Sequence, residues 1–69
     1  GLIDLDAERA RLAQQRAKAA DEAGKVLKKL GNQDFISRAK EEVVAENRER
    51  LQAAEAEMAR LDAALARIE

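Results

Sequence analysis

The side chains of this chain that can do chemistry are cations near its middle. Between Gly24 and Arg50 there are seven basic and five acidic residues, so this stretch carries +2 and the remainder carries −3. Such a cluster favours an anionic partner, although a mixed solvated surface also accounts for an asymmetry this small. The basic residues of the stretch are Lys25, Lys28, Lys29, Arg38, Lys40, Arg48 and Arg50.

The chain contains few of the residue types that serve in catalysis or bind metals. The chain has no Cys and no His, which removes disulfides, thiolate nucleophiles, imidazole bases and the common zinc sites. The carboxylates are scattered along exposed helical positions without forming an acid–base pair. We therefore predict no catalytic or metal-binding residue, no cofactor and no enzyme activity for this stretch alone. No apolar run approaches the roughly 20 residues of a membrane span, so no membrane partner is predicted.

Two predicted helices position these cations. Apolar residues recur at alternating gaps of three and four on both sides of the segment 31–39, which is typical of coiled coils. We predict an all-α fold: a two-helix antiparallel coiled-coil hairpin with helices at about 2–30 and 40–68 and a tip at 31–39. The 69 residues make one small domain, expected to be a monomer and a fragment of a larger protein. The core positions are Leu2, Leu5, Arg9, Leu12, Arg16, Ala19, Ala23, Val26 and Leu30, then Val44, Asn47, Leu51, Ala54, Met58, Leu61, Leu65 and Ile68.

The helix ends have recognisable signals. Acidic residues suit the positive end of the helix dipole at the start of each helix, as with Glu41 and Glu42. Gly31 is predicted to end the first helix as a left-handed cap. Asn32 is predicted to cap a short helical turn through Phe35, and the second helix to begin near Ala39 or Lys40.

Three core positions are polar. Arg9 and Arg16 either bind phosphate or, as we prefer, bury their stems and reach flanking carboxylates. Asn47 is interpreted as fixing the register or as tolerated polarity. The preferred register places Arg16 opposite Ala54 and Leu5 opposite Leu65, whereas a register shifted by one heptad leaves Leu5 without a partner.

Several short motifs on both sides of the turn can be compared with known families. They are residues 2–12, Lys29-Leu30-Gly31-Asn32 with Phe35, and then Ala39, Val43-Val44, Arg48 and Leu51. In these motifs, and over essentially its whole length, the chain resembles the C-terminal coiled-coil arm of bacterial valyl-tRNA synthetases. The chain departs from the family at Lys40, where Pro is usual, and at Asn47, which replaces Glu. Residues Arg16, Ala19 and Ala23 also replace larger apolar ones.

The resemblance implies a tRNA-binding appendix that contacts the outer corner of tRNA, where the D and T loops meet, and performs no chemistry itself. The implied partners are tRNA and the catalytic body of a cytoplasmic valine–tRNA ligase, which would bind ATP in a separate domain. Phe35 either stacks on an exposed base or, as we prefer, packs inside the turn. The candidate tRNA-binding residues are Lys28, Lys29, Arg38, Lys40, Arg48 and Phe35.

Two other hypotheses remain open. The first alternative is a structural or protein-interaction hairpin, such as the arm of an ABC-F-type ATPase or a chaperone-like arm. A coiled-coil dimer formed by helices from two chains is the second alternative. Binding of tRNA in a salt series tests the first, and molecular mass in solution tests the second.

Overall fold

The computed structural model describes residues 4–68, and 92% of them are helical. The elements are α1 (Leu5–Leu30), α2 (Gln33–Arg38) and α3 (Glu41–Ile68). The molecule measures 55 × 16 × 13 Å, which reflects two long helices lying side by side. The predicted all-α class is confirmed, while Leu2 and Ile3 of the predicted first helix lie outside the described residues.

The first helix has a polar cap at its start and an unexpected ending. The Asp4 carboxylate accepts a hydrogen bond from the backbone N–H of Ala7 at 3.1 Å, which satisfies one free donor of the first turn. The predicted left-handed conformation of Gly31 is wrong, since its dihedrals are φ −86° and ψ −5°. A Cβ at this position would lie 3.2 Å from the Leu27 carbonyl oxygen, a tight contact that the glycine avoids.

The segment between the long helices contains a helix of its own. The Asn32 side-chain oxygen accepts hydrogen bonds from the backbone N–H groups of Asp34 and Phe35, at 2.9 and 3.3 Å, which confirms the predicted cap. Ala39 is extended, with ψ 145°. Because an extended residue interrupts the helix, α3 begins at Glu41 rather than at Ala39 or Lys40.

The core is a narrow strip between α1 and α3. Every buried residue occupies a core position predicted from the heptads, and Leu61 is completely buried. Two of the buried residues are alanines, which bring the helices together but bury little apolar surface. The buried residues are Leu12, Ala23, Val26, Asn47, Ala54 and Leu61.

Contacts between the long helices run in opposite chain directions. Arg16 of α1 pairs with Asp62 of α3, whereas Glu22, further along α1, pairs with Arg50, which comes earlier in α3. This order is consistent with an antiparallel hairpin.

The predicted register is not reproduced in full. Asp62 lies about two helical turns beyond Ala54, the predicted partner of Arg16. Leu5, predicted to form a core layer with Leu65, is 48% exposed. Since a shift of one heptad preserves the match of core positions, the apolar pattern alone cannot fix this offset.

Candidate nucleic-acid interface

The predicted tRNA-binding residues all lie at the end of the molecule where the three helices meet. We call residues 28–48 the tip, and residues 5–27 with 49–68 the shaft. Lys28 and Lys29 are in the last turn of α1, and Arg38 is in the last turn of α2. Lys40 connects α2 to α3, and Arg48 is in the second turn of α3. These five side chains are exposed.

Most cations of the shaft are already neutralised by a neighbouring carboxylate. Some pairs lie within one helix, such as Lys25 with Asp21 at 3.1 Å. Others join the two long helices, such as Arg50 with Glu22 at 2.7 Å. Each paired cation has at least one nitrogen in contact with a carboxylate oxygen. The paired cations of the shaft are Arg9, Arg11, Arg16, Lys25, Arg50 and Arg60.

The cations of the tip are different. Among the described residues, no carboxylate lies within ion-pair distance of the five basic side chains of the tip. Their donors therefore point into solvent and can bind another anion without first breaking a pair. Lys25 and Arg50, the two basic residues of the central stretch that were not candidates, are both paired.

Arg9 and Arg16 have the structural role that we preferred for them. Arg9 donates to Asp6 at 3.1 Å. The Arg16 guanidinium donates two hydrogen bonds to the Asp62 carboxylate, at 2.5 and 3.3 Å. The hydrogen bond to Asp62 and the negative charge of that carboxylate raise the pKa of Arg16 above its usual value. Arg16 therefore stays charged and ties α1 to α3.

Net charge alone does not make the tip attractive to an anion. Residues 28–48 contain five basic and four acidic residues, so their charges nearly cancel. Glu41 and Glu42 lie in the first turn of α3, where the positive end of the helix dipole favours negative charge. An anion must therefore be bound by the local placement of the cations rather than by the overall charge.

Phe35 lies in a shallow groove at the tip. The ring is partly buried, so part of it packs in the turn and part remains accessible, and this does not decide between packing and base stacking. The groove also contains the exposed Arg38 and the Asp34 carboxylate. It is lined by Asn32, Asp34, Phe35, Arg38, Ala39 and Val43.

A second groove was not predicted from the sequence. It contains one cation, Arg48, and an isoleucine, Ile36, that is 37% exposed. The spacing of Gln33, Ile36 and Ser37 places them on one face of a helix, but this signal becomes useful only when 33–38 is known to be helical. The lining residues are Leu30, Gly31, Gln33, Ile36, Ser37 and Arg48.

The described residues were also compared with the needs of a metal site and of a membrane span. They contain no group of three or more potential metal-ligating side chains. Within the same range, none of the helices combines the length and the apolar character needed to cross a bilayer.

Comparison with known proteins gives a consistent result. A family model described as the valyl tRNA synthetase tRNA binding arm matches residues 4–69. The valine–tRNA ligase of Granulibacter bethesdensis is 65% identical over 68 residues, and that of Caulobacter vibrioides is 62% identical over 66 residues. The valine–tRNA ligase of Corynebacterium diphtheriae is 48% identical over 65 residues.

These matches cover 99, 96 and 94% of this chain, but only 8, 7 and 7% of the respective relatives. The chain therefore spans less than a tenth of the length of the relatives that it matches. No solved structure gives a significant match. The family model covers nearly the whole chain, and the relatives are up to 65% identical to it, so the chain belongs to the family of tRNA-binding arms of valyl-tRNA synthetases.

Proposed function

We propose that this chain is the C-terminal tRNA-binding arm of a cytoplasmic valine–tRNA ligase. As a monomeric antiparallel coiled-coil hairpin, it holds its tip against the outer corner of tRNA, where the D and T loops meet. The catalytic body, which lies elsewhere in the ligase, binds ATP and performs the chemistry. The arm contributes affinity and orientation only.

The observation that carries this proposal is the contrast in ion pairing. Six cations of the shaft are held by carboxylates, whereas the five of the tip have no such partner among the described residues. An RNA phosphate that binds a tip cation gains a charge-assisted contact and releases counterions. Most cations of the shaft already have a carboxylate beside them, whose negative charge repels an approaching phosphate.

The dimensions suit the proposed role. The molecule is 55 Å long, and the tip lies at the opposite end from the start of α1 and the end of α3. The tip can therefore bind a feature of tRNA that is distant from a body attached at the other end. Recognition of such a corner depends on shape, phosphates and exposed base or ribose surface rather than on sequence.

A charge-neutralised ligase tests the proposal. Lys28, Lys29, Arg38 and Lys40 are changed together to Gln, and the dissociation constant for tRNA is measured across a salt series. If all four bind phosphates, the slope of log affinity against log salt falls by about three units. Valine activation by ATP, which needs no tRNA, is expected to stay unchanged.

The shaft provides the matched control. Arg9, Arg11, Lys25 and Arg60 are changed together to Gln, which removes the same charge from cations that are already paired. This variant is expected to keep the wild-type salt slope. An unchanged slope and affinity in the tip variant, with normal helix content by circular dichroism, would contradict the proposal.

A protein-interaction hairpin is the second candidate, favoured by Ile36 and Val43, which are each 37% exposed. An apolar surface of this kind also fits a protein partner. The salt series separates the two functions, because a contact dominated by apolar surface depends only weakly on salt.

A further inference from the structure

The groove between Ile36 and Arg48 has the composition of a nucleotide-binding surface. Its apolar part is formed by Leu30 and by Ile36, which remains 37% exposed. The exposed Arg48 lies beside this apolar surface, without an ion-pair partner among the described residues. An apolar surface next to a free guanidinium matches a nucleotide, which combines a flat base with a charged phosphate.

The neutral polar groups of the groove complement a ribose and a base edge. The Ser37 hydroxyl donates its hydrogen to the Asp34 backbone carbonyl at 3.1 Å. Its oxygen can still accept a hydrogen bond, such as one from a ribose 2′-hydroxyl. The Gln33 amide, also in the groove, can both donate to and accept from a base edge.

The groove also differs from its neighbours in charge. The Phe35 groove includes Asp34. A third groove shares Ile36 and Arg48 with the Ile36–Arg48 groove, but it also includes Glu41 and lacks Gln33 and Ser37. The lining residues of the Ile36–Arg48 groove include no carboxylate. Of the three grooves, the Ile36–Arg48 groove is therefore the one whose lining offers a phosphate a cation and no carboxylate.

We propose that the Ile36–Arg48 groove binds one exposed nucleotide of the tRNA. The base lies against Ile36, the ribose hydroxyl donates to Ser37, and the phosphate binds Arg48. This proposal rests on the tRNA-binding function proposed above and adds to it a contact that does not depend on net charge.

Two substitutions separate the apolar and ionic parts of the site. In the full-length ligase, Ile36→Ser is expected to weaken tRNA binding about fivefold, from the loss of apolar contact. Because no charge changes, the salt slope stays at the wild-type value. Arg48→Gln is expected to lower the slope by about 0.7 to 0.9.

Each variant has a matched control in the shaft. Leu5→Ser removes an apolar side chain that is even more exposed, and Lys18→Gln removes an exposed cation that has no ion-pair partner among the described residues. Neither control is expected to change tRNA affinity by as much as its counterpart. Equal effects of Ile36→Ser and Leu5→Ser would overturn the proposal.

A second measurement guards against misfolding of the tip. The chain has no Cys, so Ile36→Cys introduces a thiol whose alkylation is followed in its own peptide by mass spectrometry. Saturating tRNA is expected to slow alkylation at position 36 but not in a Leu5→Cys control. If tRNA binds and the tip quadruple variant weakens that binding, yet position 36 is not protected, the groove proposal fails while the tRNA-binding function stands.

Discussion

The shaft and the tip use the same residue types for different purposes. In the shaft, arginine and lysine mostly bind carboxylates of the same molecule, as Arg16 does with Asp62. In the tip, the five cations have no ion-pair partner among the described residues, and Ile36 and Val43 leave apolar surface exposed. Composition alone therefore does not separate the two regions, because both contain exposed lysine and arginine and they differ in how many of these cations are paired.

If the shaft provides stability and the tip provides binding, substitutions in the shaft should affect unfolding but leave the salt dependence of tRNA binding unchanged. Leu61 offers the largest expected effect, since it is completely buried. Leu61→Ala is expected to lower the free energy of unfolding by about 3 kcal/mol. Urea denaturation followed by circular dichroism measures this loss.

The control for Leu61 is Leu5→Ala, at a position that is 48% exposed. It is expected to lower the free energy of unfolding by less than about 1 kcal/mol. Similar losses for the two variants would mean that the core does not lie where the structure places it.

Asn47 tests whether polarity in the core is costly. Its amide nitrogen donates to the Val43 carbonyl at 2.8 Å, while its buried side-chain oxygen has no hydrogen-bond partner among the described residues. Asn47→Leu is expected to raise the free energy of unfolding by about 1 kcal/mol, because it removes an unsatisfied acceptor and adds apolar contact. A loss of stability would mean that this oxygen is satisfied or that the larger side chain does not fit.

The two internal glycines give the smallest expected effect and a matched pair. A Cβ at Gly24 would meet nothing within 4 Å, so Gly24→Ala is expected to stabilise the chain by about 0.5 to 1 kcal/mol through helix propensity. Gly31→Ala is expected to gain less, because its Cβ would lie 3.2 Å from the Leu27 carbonyl oxygen. Thermal unfolding of both variants checks the order.

Local signals in the sequence predicted local structure well. The Asn32 cap, the acidic first turn of α3 and the positions of the buried residues are all confirmed. Each of these features depends on residues within a few positions of one another, or on a periodicity that one helix carries by itself.

Predictions failed where they depended on longer-range geometry. The partner of Arg16 lies 46 residues away, and its identity depends on an offset between helices that a heptad pattern leaves ambiguous. The groove at Ile36 and Arg48 was missed because it needs α2 to be helical and to lie beside α3. The predicted left-handed conformation of Gly31 was wrong because a glycine that follows a helix can also avoid a tight backbone contact without a positive φ.

In the proposed function the tip, and not the shaft, contacts the outer corner of tRNA. Tethered hydroxyl-radical probing locates this contact, with an iron chelate attached to Gln33→Cys in the tip or to Ala56→Cys in the shaft of the full-length ligase. We expect the probe at position 33 to cleave bound tRNA at the junction of the D and T loops, and the probe at position 56 to cleave there weakly or not at all. Cleavage by the position 33 probe only in the acceptor stem or anticodon, or equal cleavage of the corner from both positions, would contradict the claim.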